Sequence, residues 1–146
     1  MPWVSRYTWG SEMSPTVTVT VTTYVFGLGA ERKAPPVLVC LPEEHVSART
    51  LIAWHVQAEI ERAHAARSTS LALHYLLSDQ RQLYAPPAPG AALDRVTETT
   101  RAYDGLSERR YVLVVDGVAV TDLEADLLLS ERSAVSFIRL LPLIGG

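Results

Sequence analysis

The sequence predicts an α+β fold in which hairpin strands pack against one long helix, and three stretches carry that prediction. Residues 16–26 alternate valines with threonines and a tyrosine, residues 47–66 repeat apolar side chains at helical spacing, and Asp116-Gly117 separates two apolar runs near the end. A length of 146 residues suits one domain with a sizeable insertion. With 48% hydrophobic and 20% charged residues, the composition excludes a disordered or collagen-like chain. A formal charge of −3 supplies no cationic field, so nucleic acid is not an expected partner. No apolar run approaches the roughly 18–20 residues that span a bilayer, and Met1-Pro2-Trp3-Val4-Ser5-Arg6 lacks the apolar segment of a secretion signal. The expectation is a cytoplasmic protein with no membrane partner.

Residues 1–14 hold Trp3, Tyr7 and Trp9 without a clear period and read as a loose or docking tail. In the first strand Val17, Val19, Val21 and Val25 point one way and Thr16, Thr18, Thr20, Thr22 and Tyr24 the other. Gly27-Leu28-Gly29 tolerates positive φ, and Val37-Leu38-Val39-Cys40-Leu41 follows Pro35-Pro36, so residues 16–26 and 37–41 are expected to form an antiparallel hairpin with a long loop. Cys40, the single cysteine, reads within that apolar run as a buried, inert thiol. Pro42 stops the strand, and Ser47 can cap a helix reaching about Ala66, with Leu51, Ile52, Val56, Ile60 and Ala63 as its core stripe. His55 and Glu59, spaced i,i+4, read as a pair at the rim of the core, and Trp54 falls on the opposite face, where a second layer or a partner must cover it. The spacings of His45, His64 and His74 match no recognised metal set, so no metal is expected.

Residues 69–77 allow a strand by alternation or a helix by leucine content; a third strand is the reading adopted. Tyr84-Ala85-Pro86-Pro87-Ala88-Pro89-Gly90 is a loop, because proline excludes helix interior and central strand alike. Beyond it, Leu93, Val96, Thr100 and Tyr103 share one face of a short helix with Gly105 as its C′ residue, which makes 78–110 a helical insertion. Tyr111–Val115 and Val118–Val120 flank Asp116-Gly117 as a hairpin. An irregular or single-turn piece with Leu123, Leu127, Leu128 and Leu129 precedes a last strand over residues 134–141, and the sequence closes Pro142-Leu143-Ile144-Gly145-Gly146.

This succession of hairpin, helix, strand, hairpin, short turn and strand resembles the β-grasp fold of ubiquitin-like proteins. Phe137-Ile138-Arg139-Leu140-Leu141-Pro142-Leu143-Ile144-Gly145-Gly146 is similar to the last strand and Pro-x-x-Gly-Gly tail of the molybdopterin-synthase and thiamine-pathway sulfur carriers. The specific match covers about residues 111–146, topology supports 16–77, and residues 1–14 and 78–110 have no counterpart in the minimal carriers. Where those carriers commonly place Gly-Asp before the last strand, this chain has Arg132-Ser133. The resemblance implies a mixed sheet on one main helix, residues 15–141 as the β-grasp domain, and 142–146 as a reactive tail.

It also implies a function in which the protein is substrate and not enzyme. The carboxylate of Gly146 would be adenylated by an activating enzyme, and Gly145 and Gly146 suit that role because residues without side chains thread a narrow channel. No catalytic residue, bound cofactor or metal is assigned; ATP-Mg belongs to the activating enzyme. Recognition is expected on the sheet face the helix leaves open. Val135 and Phe137 point one way, and Ser136, Ile138 and Leu140 the other, without the sequence deciding which is free. The candidate docking residues are Phe137, Ile138, Leu140, Pro142, Leu143 and Ile144. The N-terminal aromatics and the insertion favour a bacterial-type ubiquitin-like modifier, joined to target proteins by an isopeptide bond, with a conjugating enzyme and a JAB-type deconjugase as further partners. The alternatives are a sulfur carrier bearing a C-terminal thiocarboxylate and a non-conjugated interaction module held through Trp3, Trp9 and Trp54. Of thirteen basic residues only Lys33 is lysine, which makes it the one lysine acceptor for chains of this protein, in the loop after Gly29.

Overall fold

Alternation builds the sheet. In a computed structural model, which describes residues 16–27, 31–87 and 89–141, strand β1 (Val17–Phe26) turns Val17, Val19, Val21, Thr23 and Val25 into the core. It pairs antiparallel with β3 (Val37–Leu41) over residues 17–21, as the sequence predicts, and with the two-residue β2 (Arg32–Lys33) at Tyr24 and Val25. Lys33 therefore belongs to a short edge strand and not to a free loop. Pro35 and Pro36, which lack amide protons, separate β2 from β3, and Arg62 holds their carbonyls at 3.1 and 2.6 Å. Strand β8 (Val135–Leu140) runs parallel to β1, and β5 (Val112–Val115) pairs antiparallel with β8 and with β6 (Val118–Val120). The sheet is thus mixed, with the parallel pair β1–β8 inside it.

The β5–β6 turn has φ of 51° at Asp116 and 82° at Gly117, the pair of positive values that a tight two-residue hairpin needs. Asp116 also ties this turn to the start of β8: its amide donates to the Ala134 carbonyl and its Oδ1 accepts from the Ala134 amide, each at 2.8 Å. Ser130 and Ser133 build the preceding bend with their hydroxyls, at 3.1 Å to the Arg132 amide and 2.9 Å to the Ser130 amide. These groups close the turn at Arg132-Ser133.

Helix α1 (Ala48–Ala66) begins at Ser47, whose Oγ accepts from the Thr50 amide at 3.1 Å. Its buried positions are 48, 51, 52, 55, 56, 59, 60 and 63, one unbroken stripe against the sheet. His55 and Glu59 are members of that stripe, each 1% exposed, so they lie in the core and not at its rim. The first-turn amides of Ala48 and Arg49 donate to the carbonyls of Ala125 and Leu123, both at 2.9 Å. That neighbouring segment is no turn of helix: β7 (Asp126–Leu128) pairs antiparallel with β4 (His45–Ser47) as a separate two-stranded ribbon.

Residues 69–77 are not a strand. Ser70 accepts from the Leu73 amide and starts helix α2 (Leu71–Leu77), which buries Ala72, Leu73, Leu76 and Leu77. Those pairs recur at i and i+4, so the leucine content outweighs an alternation only nine residues long. The carbonyls of Tyr75 and Ser78, at the end of α2, are taken by the buried guanidinium of Arg139, which points inward from β8. Burial pushes that guanidinium below its usual range, and these carbonyls are its hydrogen-bond partners among the described residues.

Helix α3 (Arg95–Ser107), capped by Asp94, is longer than expected and turns Glu98, Ala102, Gly105 and Leu106 inward. Gly105 is inside the helix and not its C′ residue. A Cβ there would lie 2.7 Å from the Tyr111 ring, so the glycine makes room for that ring, while Arg109 takes the left-handed conformation at φ 59°. The Arg110 amide then reaches the Gly105 carbonyl at 2.8 Å, closing the helix end. Ala102 and Leu106 enter the common core, so this part of 78–110 is packed into the domain.

Candidate functional site

With α1 and α2 on one side, the other side of the sheet is free of secondary structure among the described residues, and strand alternation decides what it presents. On β8, Val135, Phe137 and Arg139 face the helices, while Ser136, Ile138 and Leu140 face outward. Phe137 is 1% exposed, with the His55 ring stacked 4.6 Å away and Tyr111 edge-on at 5.6 Å. It is a core residue and is withdrawn from the docking set. Leu140, at 66% exposed, and Ile138 remain.

The strand register extends this face from β8 in rows. Ile138 lies between Tyr24 and Val112, and Ser136 between Thr22 and Val114. Phe26 pairs with Leu140, and Leu38, 64% exposed, pairs with Thr20. The rings of Tyr24 and Phe26 stack with centroids 6.2 Å apart. The result is an apolar stripe bordered by threonine hydroxyls, a surface that can gain free energy from partner burial. Lys33 pairs with Tyr24 at the margin and is exposed.

Cys40 lies on this open face. Its Sγ is 3.3 Å from Thr18 Oγ1 and the residue is exposed, so the expectation of a buried thiol is overturned. Alternation explains it: Val37, Val39 and Leu41 point inward, which leaves Leu38 and Cys40 outside.

Past Leu140 the ladder continues by one bond, from the Leu141 amide to the Phe26 carbonyl at 2.9 Å. Gly27 permits this exit. Its φ is 108°, and a Cβ there would lie 2.9 Å from both the Leu141 Cβ and its carbonyl oxygen. The remaining predicted site residues, Pro142, Leu143, Ile144, Gly145 and Gly146, lie outside the described residues, as does the N-terminal tail with Trp3 and Trp9.

The titratable side chains do not gather on the open face. His55 Nε2 and Glu59 Oε2 are 3.2 Å apart in the core, and Glu59 Oε1 accepts from Arg62 Nη2 at 2.7 Å and Ser70 Oγ at 3.3 Å. Burial works against the charged carboxylate, yet the His55 hydrogen bond and the charges of His55 and Arg62 outweigh it and carry the Glu59 carboxyl below its usual range. With His55 and Glu59 buried and Arg62 part-exposed, this group ties α1 to Ser70 at the start of α2. A cavity of about 380 Å³ between α2 and α3 holds a second polar group. His74 Nε2 lies 3.3 Å from the Leu83 carbonyl, which can only accept, so Nε2 carries a proton, and Nδ1 shares a hydrogen bond with Ser78 Oγ at 3.2 Å. Arg101 joins Glu98 at 3.1 Å to the Leu77 carbonyl at 2.7 Å. These contacts tie helices together.

His45 lies in β4, His64 in the last turn of α1 and His74 in α2, and among the described residues no three His, Cys, Asp or Glu side chains are grouped to hold a metal ion. No described helix is long and apolar enough to cross a membrane. Sequence reasoning missed Arg139 as an inward residue, although its place two positions after Phe137 was the signal. No family model matches this chain, and no curated protein or solved structure matches it either.

Proposed function

We propose that this chain is a ubiquitin-like protein modifier of β-grasp fold whose Gly146 carboxylate is activated and joined to target proteins. One observation carries the reading: a strand order of β3, β1, β8, β5, β6, with β1 and β8 parallel and a single long helix packed on one face. That order supports the β-grasp reading, and the last strand ends on the apolar open face six residues before the last glycine. In the proposed reaction the carboxylate attacks the α-phosphate of ATP and pyrophosphate leaves. An enzyme thiolate then displaces AMP, and a target amine displaces the thiolate to leave an amide. Ile138, Leu140, Tyr24, Phe26 and Leu38 form the docking surface for the activating enzyme, with Pro142, Leu143 and Ile144 extending along the tail. This chain contributes the acyl group and the surface; the acid–base work and Mg·ATP belong to the partner.

The test is incubation of the full chain with ATP-Mg and an activating enzyme from the same cell, read by intact mass. An adenylate or thioester followed by amide adducts on other proteins supports the modifier. Replacement of one terminal oxygen by sulfur identifies a sulfur carrier instead. Absence of any activated species, with the Gly146 deletion behaving identically, leaves an interaction module.

A further inference from the structure

We propose that the groove between α1 and α3 is the seat of the chain's own N-terminal aromatic segment, Trp3 to Trp9, which folds back in cis. The groove follows from two helices whose inward faces are already spoken for. α1 commits positions 48 to 63 of its stripe to the sheet, and α3 commits Glu98, Ala102, Gly105 and Leu106. Their neighbouring flanks leave a channel of about 480 Å³ lined by Ala53, Trp54, Val96, Thr99 and Tyr103 among others. Trp54 is 42% exposed and Val96 71%, so the apolar floor faces solvent among the described residues.

Polar contacts border both ends of the channel. Arg95 Nη1 donates to Gln57 Oε1 at 2.6 Å at one end. At the other the Arg49 guanidinium sits 4.8 Å over the Tyr103 ring and pairs with Glu124 at 2.7 Å. The volume lies within the roughly 300–1,000 Å³ of clefts that take drug-sized groups. Apolar floor and hydroxyl rim suit indole and phenol rings, which pair a large apolar body with one polar atom.

Chain length and its point of attachment select the occupant. Fifteen residues precede Thr16, and they carry Trp3, Tyr7 and Trp9 with only Arg6 and Glu12 as charged side chains. They join β1 at Val17, which pairs with Leu41, and only residues 42–47 separate Leu41 from the start of α1. The segment thus enters at the end of the sheet where α1 begins. Trp54 lies six residues into α1, about 9 Å along its axis. The eight residues from Trp9 to Val17 span up to about 26 Å. Tethering raises the local concentration to the millimolar range, so a modest intrinsic affinity is enough to fill the groove.

The test makes Trp54 the only indole, by Trp3→Phe and Trp9→Phe in the full chain, which keeps the aromatic segment. Trp54 emission and acrylamide quenching are then compared with the same chain lacking residues 2–14. The proposal expects a red shift and a several-fold rise in quenching on deletion, at all protein concentrations. Unchanged quenching overturns it, and so does protection that appears only as a dimer mass forms, which assigns the groove to a second copy. A separate readout does not depend on the truncated chain: in a Cys40→Ser background, Trp9→Cys and Thr99→Cys should form an intramolecular disulfide under mild oxidation, whereas Trp9→Cys with Glu131→Cys should not. Failure of the first pair, or equal yield from both, also overturns the proposal.

Discussion

Removing Glu59 tests whether the polar group inside the core supports the fold. Glu59→Ala leaves His55 Nε2 and Ser70 Oγ without their acceptor in a site 1% exposed. Arg62 loses less, since it is part-exposed and keeps the carbonyls of Pro35 and Pro36. Unmet buried groups cost about 1–3 kcal/mol each, and loss of one member of a buried ionic set costs about 3–5 kcal/mol in all. Glu59→Gln keeps the shape, and its oxygen can still accept from Arg62 and Ser70. Only the charge is lost, about 1–2 kcal/mol. Urea unfolding near neutral pH, followed by circular dichroism, should therefore rank wild type above Glu59→Gln and Glu59→Ala well below both, with similar slopes. The carboxyl is held below its ordinary value of 4.5, so the unfolded chain takes up this proton first as pH falls. The stabilisation from the charged carboxylate is thus complete above about 4.5 and fades as pH drops through the folded value. The gap between wild type and Glu59→Gln should narrow over that acid range. Equal stabilities for the Ala and Gln variants, or a gap that widens in acid, would refute the reasoning.

Four further outcomes follow from the same geometry. Thr23 is buried with Oγ1 unbonded among the described residues, so Thr23→Val should stabilise the protein by about 1 kcal/mol in the same urea assay. Gly27→Ala combines positive φ with a 2.9 Å approach to Leu141 and should cost about 2 kcal/mol, seen as a lower melting temperature. Leu140→Asp should leave the melting temperature unchanged, because the side chain is exposed, yet slow ATP-dependent activation by the partner enzyme at least tenfold, about 1.4 kcal/mol, in a pyrophosphate-exchange assay. Lys33→Arg should abolish lysine-linked chains of this protein in a conjugation reaction while single additions to targets persist, as peptide mapping of the products would record.

Long periods were legible in the sequence and short ones were not. β1, β3, α1 and the β5–β6 hairpin each combine a sustained period with a cap or turn residue, and local chemistry there agrees with the tertiary outcome. Residues 69–77 satisfied two periods at once, and only the Ser70 cap and the space over β1 and β8 selected the helix. β4 and β7 are three residues each, too short for any period, and exist because each completes the other. Reading residues 37–41 as a continuous apolar run hid Cys40, although plain alternation exposes it. For the candidate site, the two faces of β8 could be separated by parity alone. Choosing between them needed the position of α1, whose stripe with His55 lies over Phe137.

The parallel pairing of β1 with β8 also has a mechanical side. A pull applied at Leu141 acts at the far end of β8, while an anchor at the start of β1 resists from the opposite end. The six backbone pairs from Val21–Val135 to Phe26–Leu140 then share the load in shear and must slide together, instead of opening one after another like a zip. The two strands are in this way fastened along the line of such a tug.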